Sequence, residues 1–486
     1  MPIDIAVPGR FTWHLNQNVN MTAATVSTRT AATRSVIPIA AAAALGGFLF
    51  GYDTAIINGA GDAIQHVYHL GPTAKGFVIS SALLGCVVGA WFAGPIGDRI
   101  GRVRTMIIAA VLFIASAIGS ALAVAVWDLV LWRVLGGFAI GAASVIAPAY
   151  IAEIAPAHIR GRLGSLQQLA IVTGIFLSQL VAYLLARAGG GALGNVPWGG
   201  PAWRWMFASA AIPALLYGLI ALLIPESPRY LVRMRRVDQA HKVLVDYVGG
   251  DADNRISEIQ RSLGNDEEKV KLHDLRGPRF GLLPIVWVGI LLSVFQQFVG
   301  INVIFYYSTA LWQSVGFSSN DSFLISTITS VTNIVATIVA ISLIDKIGRK
   351  PLLLIGAVGM VVTLGVMAAC FGTARGSGSN ITLSPDIGKV ALVSANLYVF
   401  AFAVSWGPVV WVLLGEMFNN RIRASALAVA ASAQWLANWA ISTTFPTLAS
   451  AGLVFAYGLY ATFAFLALVF VWQGVRETKG RELEDM

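Results

Sequence analysis

Three carboxamides, Gln296, Gln297 and Asn302, stand in the run Phe295-Gln296-Gln297-Phe298-Val299-Gly300-Ile301-Asn302, within an otherwise apolar stretch from 281 to 311. An amide left without a partner in hydrocarbon costs several kcal/mol, so these groups must face protein or water. On a straight helix Gln297 and Asn302 would point roughly 140° apart. For both to line one hollow the helix has to bend or unwind, and Gly300 lies between them. Neutral donors and acceptors of this kind suit a neutral polyhydroxylated ligand. The alternative is that they bridge neighbouring helices as polar glue.

A second constellation is ionic. Asp53, in Phe50-Gly51-Tyr52-Asp53-Thr54-Ala55, is an acid well inside an apolar run, and Arg133, in Leu131-Trp132-Arg133-Val134-Leu135, is the embedded base. Charges at such depth are expensive and face a bundle interior. Burial favours the neutral acid and a guanidinium favours the carboxylate, so a movement that parts the two would take up or release a proton. A static structural ion pair is the other reading.

Twelve apolar windows must position these groups: 36–59, 76–97, 105–126, 129–151, 163–186 and 203–224, then 281–311, 322–344, 351–372, 388–414, 424–448 and 453–473. With 57% hydrophobic and 12% charged residues over 486, the chain is an all-α, polytopic membrane protein. The expected units are a tail over 1–35, a six-helix bundle over 36–224, linker helices over 225–280, a second six-helix bundle over 281–475 and a tail over 476–486. The net charge of +9 concentrates in the short loops of one side, ten Lys and Arg against five opposite. This asymmetry places both termini and the linker in the cytoplasm of a plasma-membrane protein, and it is a topology signal, not a nucleic-acid footprint. The N-terminal tail has no apolar core followed by a cleavage site, so the first span is expected to act as an uncleaved insertion signal.

The two halves repeat. Gly97-Asp98-Arg99-Ile100-Gly101-Arg102 returns as Ile344-Asp345-Lys346-Ile347-Gly348-Arg349; Glu153 with Arg160 returns as Glu416 with Arg423; Pro225-Glu226-Ser227-Pro228-Arg229 returns as Arg476-Glu477-Thr478-Lys479-Gly480. The offsets are 247, 263 and 251 residues, the mark of a duplicated six-span unit. Asp98, Arg102, Glu153, Arg160, Arg349, Glu416 and Arg423 are therefore expected to form a cytoplasmic gate, joining the bundles by ion pairs when that side is closed.

These motifs resemble the sugar porter family of the major facilitator superfamily, nearest its proton-coupled xylose-type members. The resemblance implies a monosaccharide site between the bundles and alternating access by rocking. Carried over, the sugar ligands fall on Gln168, Gln296, Gln297, Asn302, Asn333, Gly407, Trp411 and Gln434. Gln434 taken alone also fits interhelical glue, and any single tryptophan among 14 fits packing. Proton-coupled members carry Asp and Arg at the places of Asp53 and Arg133, where facilitative glucose carriers have a neutral residue for the acid. Xylose-type members have Gln and Leu at the places of Ile175 and Phe305, where glucose carriers look like this chain. An apolar wall there favours D-glucose over D-xylose; neutral drift at the two positions is the alternative.

No nucleotide loop, metal cluster or nucleophile triad is found, so neither an enzyme nor a cofactor is expected. Cys86 and Cys370 lie in separate apolar runs and read as packing residues. The expected partners are a monosaccharide, a proton and the lipid bilayer, with the chain acting as a monomer.

Overall fold

A membrane core offers the backbone no water, so each apolar run must satisfy its N–H and C=O groups internally and becomes a helix. The computed structural model describes residues 15–155, 160–249, 251–265, 275–277, 281–374, 382–418 and 422–478, with side chains from 36 onward except at 160–162, 164–165, 264–265, 345 and 423–424. The first half holds α1 (Leu15–Val67), α2 (Pro72–Ile100), α3 (Arg102–Leu122), α4 (Val126–Ile154), α5 (Arg160–Gly189), α6 (Ala202–Ser209) and α7 (Ala211–Ala221). Short helices α8 (Pro228–Arg233), α9 (Val237–Val243) and α10 (Ala252–Asn265) follow. The second half holds α11 (Pro284–Phe298), α12 (Ile301–Tyr306), α13 (Ser308–Ser314), α14 (Ser319–Ile347), α15 (Arg349–Gly372), α16 (Pro385–Ala403), α17 (Trp406–Met417), α18 (Arg423–Ala451) and α19 (Leu453–Gly474).

Among the described residues, 11 stretches are long and apolar enough to cross a membrane. Counting α18, a 29-residue helix whose Gln434, Asn438, Ser442, Thr443 and Thr444 make it more polar, gives the twelve-helix major facilitator arrangement. Spans are broken where the sequence demands it. Pro213 cannot donate and crowds the Ser209 carbonyl, which separates α6 from α7, and Pro408 does the same to Val404 between α16 and α17. Gly300 adopts φ +86 and divides α11 from α12, as the placement of the amides required. The Tyr398 hydroxyl donates to the freed Val299 carbonyl at 2.7 Å, so the break leaves that group satisfied.

At the end that carries the linker helices, the repeated motifs build the same device twice. Glu226 accepts from the backbone N–H of Arg102 at 3.0 Å and of Val103 at 3.2 Å, capping α3. Glu477 accepts from Arg349 N–H at 3.0 Å and Lys350 N–H at 2.9 Å, capping α15. A carboxylate at a helix N-terminus meets both unpaired donors and the positive end of the dipole. Burial pushes the Glu226 carboxyl above its ordinary range, opposed by its backbone hydrogen bonds. The next residue in each motif reaches the paired acid, Ser227 Oγ to Glu153 and Thr478 Oγ1 to Glu416. Glu226-Ser227 and Glu477-Thr478 are thus clasps that fix the end of the sixth span of each bundle to the start of the third.

Each clasp also needs a glycine. Gly101 and Gly348 have φ +101 and +104, and a Cβ on Gly101 would overlap the Glu226 carboxylate. Gly101→Ala is therefore expected to destabilise the protein by about 1–3 kcal/mol, seen as a lower melting temperature in detergent. Gly365→Ala is the control: this glycine is exposed on α15 with open space where a Cβ would stand, so the change should carry no such cost. An unchanged melting temperature in Gly101→Ala would contradict the clasp.

Candidate functional site

The ionic constellation closes as a contact. Arg133 Nη1 on α4 donates to Asp53 Oδ1 on α1 at 2.8 Å, both residues are buried, and the guanidinium carbon lies 5.7 Å from the centre of the Phe207 ring. Asp53 Oδ2 and Arg133 Nε are buried with no hydrogen-bond partner among the described residues. The pair is held but not saturated, which leaves a carboxylate oxygen where a proton can sit.

The three carboxamides of the broken span form a chain. Asn302 Nδ2 donates to Gln297 Oε1 at 2.5 Å, Gln297 Nε2 to Gln296 Oε1 at 3.3 Å, and Gln296 Nε2 to the carbonyls of Trp406 at 2.9 Å and Gly407 at 3.4 Å. Gly300 is what makes this possible: by restarting the helix at Ile301, it swings Asn302 round to the face of Gln297. Of the expected sugar ligands, Gln296, Gln297, Asn302 and Gly407 are thereby joined. Gln168 on α5, Asn333 on α14, Trp411 on α17 and Gln434 on α18 are not bonded to this chain. The elements that carry them do pack together, α5 on α14 and α17, and α12 on α18. Gln434 Oε1 is buried without a partner among the described residues, Asn333 is buried, Gln168 is half-buried and Trp411 is 41% exposed. Ile175 and Phe305 are both buried, as apolar wall positions should be.

At the end opposite the linker, a polar lock joins the bundles, and its members were not singled out from the sequence. Asn58 Nδ2 on α1 donates to Gln179 Oε1 on α5 at 3.0 Å, and Asn58 Oδ1 accepts from the Thr309 N–H of α13 at 3.0 Å. Gln179 Nε2 donates to the Phe305 carbonyl of α12 at 3.2 Å, and within the second bundle Tyr307 donates to the Ser442 carbonyl at 2.7 Å. The signal was present: Asn58 and Gln179 are carboxamides embedded in apolar runs, as Gln297 and Asn302 are. Asn58→Ala is expected to loosen this end. A cysteine placed at Ser80, whose hydroxyl lies 2.6 Å from Thr443 Oγ1 across the same seam, should then react with a maleimide applied at that end at least about tenfold faster, since the four side-chain hydrogen bonds of Asn58 to Gln179, Ser326 and Thr309 are lost. An unchanged labelling rate would show that Asn58 does not hold this end shut.

The expected gate residues also form ion pairs. Arg102 grips Glu153 through two bonds of 2.8 and 3.1 Å and Asp98 at 2.9 Å; Arg349 grips Glu416 through bonds of 2.8 and 3.1 Å. Each of these pairs lies within one bundle, so each arginine is engaged by an acid of its own half. The side chains of Arg160 and Arg423 lie outside the described residues.

A buried acid–base pair, an amide chain at a helix break and a duplicated six-helix bundle all point one way. A family model described as "Sugar (and other) transporter" matches residues 39–486. The chain belongs to the sugar transporter family. The transporter is 57% identical to a glucose transport protein of a Synechocystis species, over 95% of this chain and 98% of that one. It is 41% identical to the D-xylose-proton symporter of Escherichia coli K12, over 93% of this chain and 95% of that one. Its fold superposes on the E. coli xylose transporter in a partially occluded inward-open conformation with a TM-score of 0.80, at 38% identity, covering 92% of this chain and 100% of that one. Proteins of this family move solutes and are not enzymes.

Proposed function

We propose that the transporter imports D-glucose together with a proton across the plasma membrane, as a monomer with both termini and the linker helices in the cytoplasm. The observation that carries the coupling is the buried pair: Asp53 is held by Arg133 through one oxygen while its second oxygen has no partner among the described residues. Protonation at that oxygen removes the charge that holds α1 to α4, so loading with a proton and release of the pair become one event. The sugar is read by uncharged groups, Gln168, Gln296, Gln297, Asn302, Asn333, Trp411 and Gln434, with the Gly407 backbone, because hydroxyls need donors and acceptors without charge.

Glucose is favoured by the apolar Ile175 and Phe305 and by the 57% identity to a protein named for glucose transport. The 41% identity to a xylose-proton symporter favours the same coupling with a pentose as a second reading. In the proposed orientation the lock of Asn58, Gln179 and Thr309 shuts the extracellular side, and the within-bundle pairing of Arg102 and Arg349 accompanies an open cytoplasmic side. The test is uptake of labelled D-glucose into proteoliposomes with and without an inward proton gradient, competed by unlabelled hexoses and pentoses. Uptake that ignores the gradient would overturn coupling; strong competition by xylose and none by glucose would overturn the sugar assignment.

A further inference from the structure

Lys75 stands where both its helix and its surroundings disfavour a cation. It lies in the first turn of α2, at the positive end of the helix dipole, and it is buried. Both effects are offset from the neighbouring helix: Lys75 Nζ donates to Asp62 Oδ1 on α1 at 2.7 Å and to Gln65 Oε1 at 2.8 Å. Among the described residues, these are the side-chain hydrogen bonds that tie α1 to α2. The two charges differ in exposure, 9% for the Lys75 side chain and 38% for that of Asp62. The ammonium therefore depends on the carboxylate, whereas the carboxylate sits at an open surface.

The pair lies in the corner where two helices of the first bundle meet the second. On α2, Thr73 and Gly76 flank Lys75 and lie against α18: Thr73 Oγ1 is 3.2 Å from Thr447 Oγ1, and a Cβ on Gly76 would overlap the Thr443 carbonyl. On α1, Asp62 stands one turn beyond Asn58, whose Oδ1 accepts from the Thr309 N–H of α13 at 3.0 Å. Closing the seam between α2 and α18 takes water from the ammonium, and opening it gives water back. We infer that Asp62 is a positioning residue for the transport cycle, whose negative charge allows this end to close by neutralising Lys75. Without the carboxylate the closed seam would hold an unpaired buried cation, which the open seam can leave to water. The role is the same whichever sugar is carried, with or without a proton.

The test reads the closed population through a single reporter. Full-length protein carrying Ser80→Cys, at the position 2.6 Å from Thr443 across the same seam, is reconstituted and labelled with a maleimide applied at that end; the native Cys86 and Cys370 are buried. Asp62→Asn keeps the shape and an acceptor for Nζ but not the charge, and should label at least about tenfold faster than the parent. Adding Lys75→Met to it should bring the rate back to within about twofold of the parent, because no charge is left to strand. Lys75→Met alone and Asp62→Glu, which retains the charge, should also label as the parent does. An unchanged rate in Asp62→Asn overturns the assignment. So does a double variant as fast as Asp62→Asn, since the loss would then not come from a stranded lysine. Should Asp62→Asn fail to fold, Lys75→Met and the double variant decide: a double variant about tenfold faster than Lys75→Met would show Asp62 acting without the lysine and overturn the inference, and equal rates at the parent level support it.

Discussion

Asp53→Asn should abolish uphill sugar uptake while leaving sugar exchange across the membrane intact. Asparagine has the same shape and keeps an oxygen for Arg133 Nη1, now 2.8 Å from Asp53 Oδ1, so the contact survives without a group that can take up a proton. At one proton per sugar, a potential of 100 mV supplies about 2.3 kcal/mol, enough for a roughly fifty-fold accumulation. In the variant the ratio should fall to about one at any imposed gradient. Counterflow, which needs only binding and rocking, separates this from a misfolded protein. Accumulation equal to wild type would sink coupling through Asp53. Removing the arginine instead is a poorer probe: it strands a buried carboxylate, at a cost of about 3–5 kcal/mol to the fold.

Gly76→Trp should reduce net transport about a hundredfold or more while preserving sugar binding from the end opposite the linker. Gly76 lies on α2 where it crosses α18, and any Cβ there would overlap the carbonyl oxygen of Thr443. The neighbouring contacts show how close the seam is, with Ser80 Oγ 2.6 Å from Thr443 Oγ1 and Thr73 Oγ1 3.2 Å from Thr447 Oγ1. An indole cannot be accommodated, so the closed state of this seam, at the end opposite the linker, becomes inaccessible and the cycle stops with that end open. An overpacking penalty of about 3 kcal/mol already lowers the closed population about a hundredfold. Measured uptake should vanish, while sugar binding to the purified variant, followed by calorimetry, stays within a few-fold of wild type. A folded variant that transports at the wild-type rate would show that this seam does not have to close.

Much of the architecture was legible because lipid imposes simple rules. Apolar runs had to be helices, the repeated Gly-Arg, Glu and Pro-Glu-Ser-Pro-Arg motifs had to mark two equivalent bundles, and the amides flanking Gly300 had to break the seventh span. Asp53 and Arg133 could be paired from their residue types and depth, since a buried charge has few companions to choose from. Less was legible where a role depends on a distant backbone. Glu226 and Glu477 were visible as a repeat but not as caps, because their partners, the N–H groups of Arg102 and Arg349, lie 124 and 128 residues away.

The sequence alone determined which residues are too polar for lipid, and therefore which must turn inward, because that cost belongs to each side chain by itself. The tertiary structure decided what each inward group meets. It put Asn58 and Gln179 into a lock across the far end, kept Arg102 and Arg349 on acids of their own bundles, and gave the amide chain its direction through the Trp406 carbonyl. Hydrogen bonds are directional and short, so who donates to whom emerges only once the helices are in place.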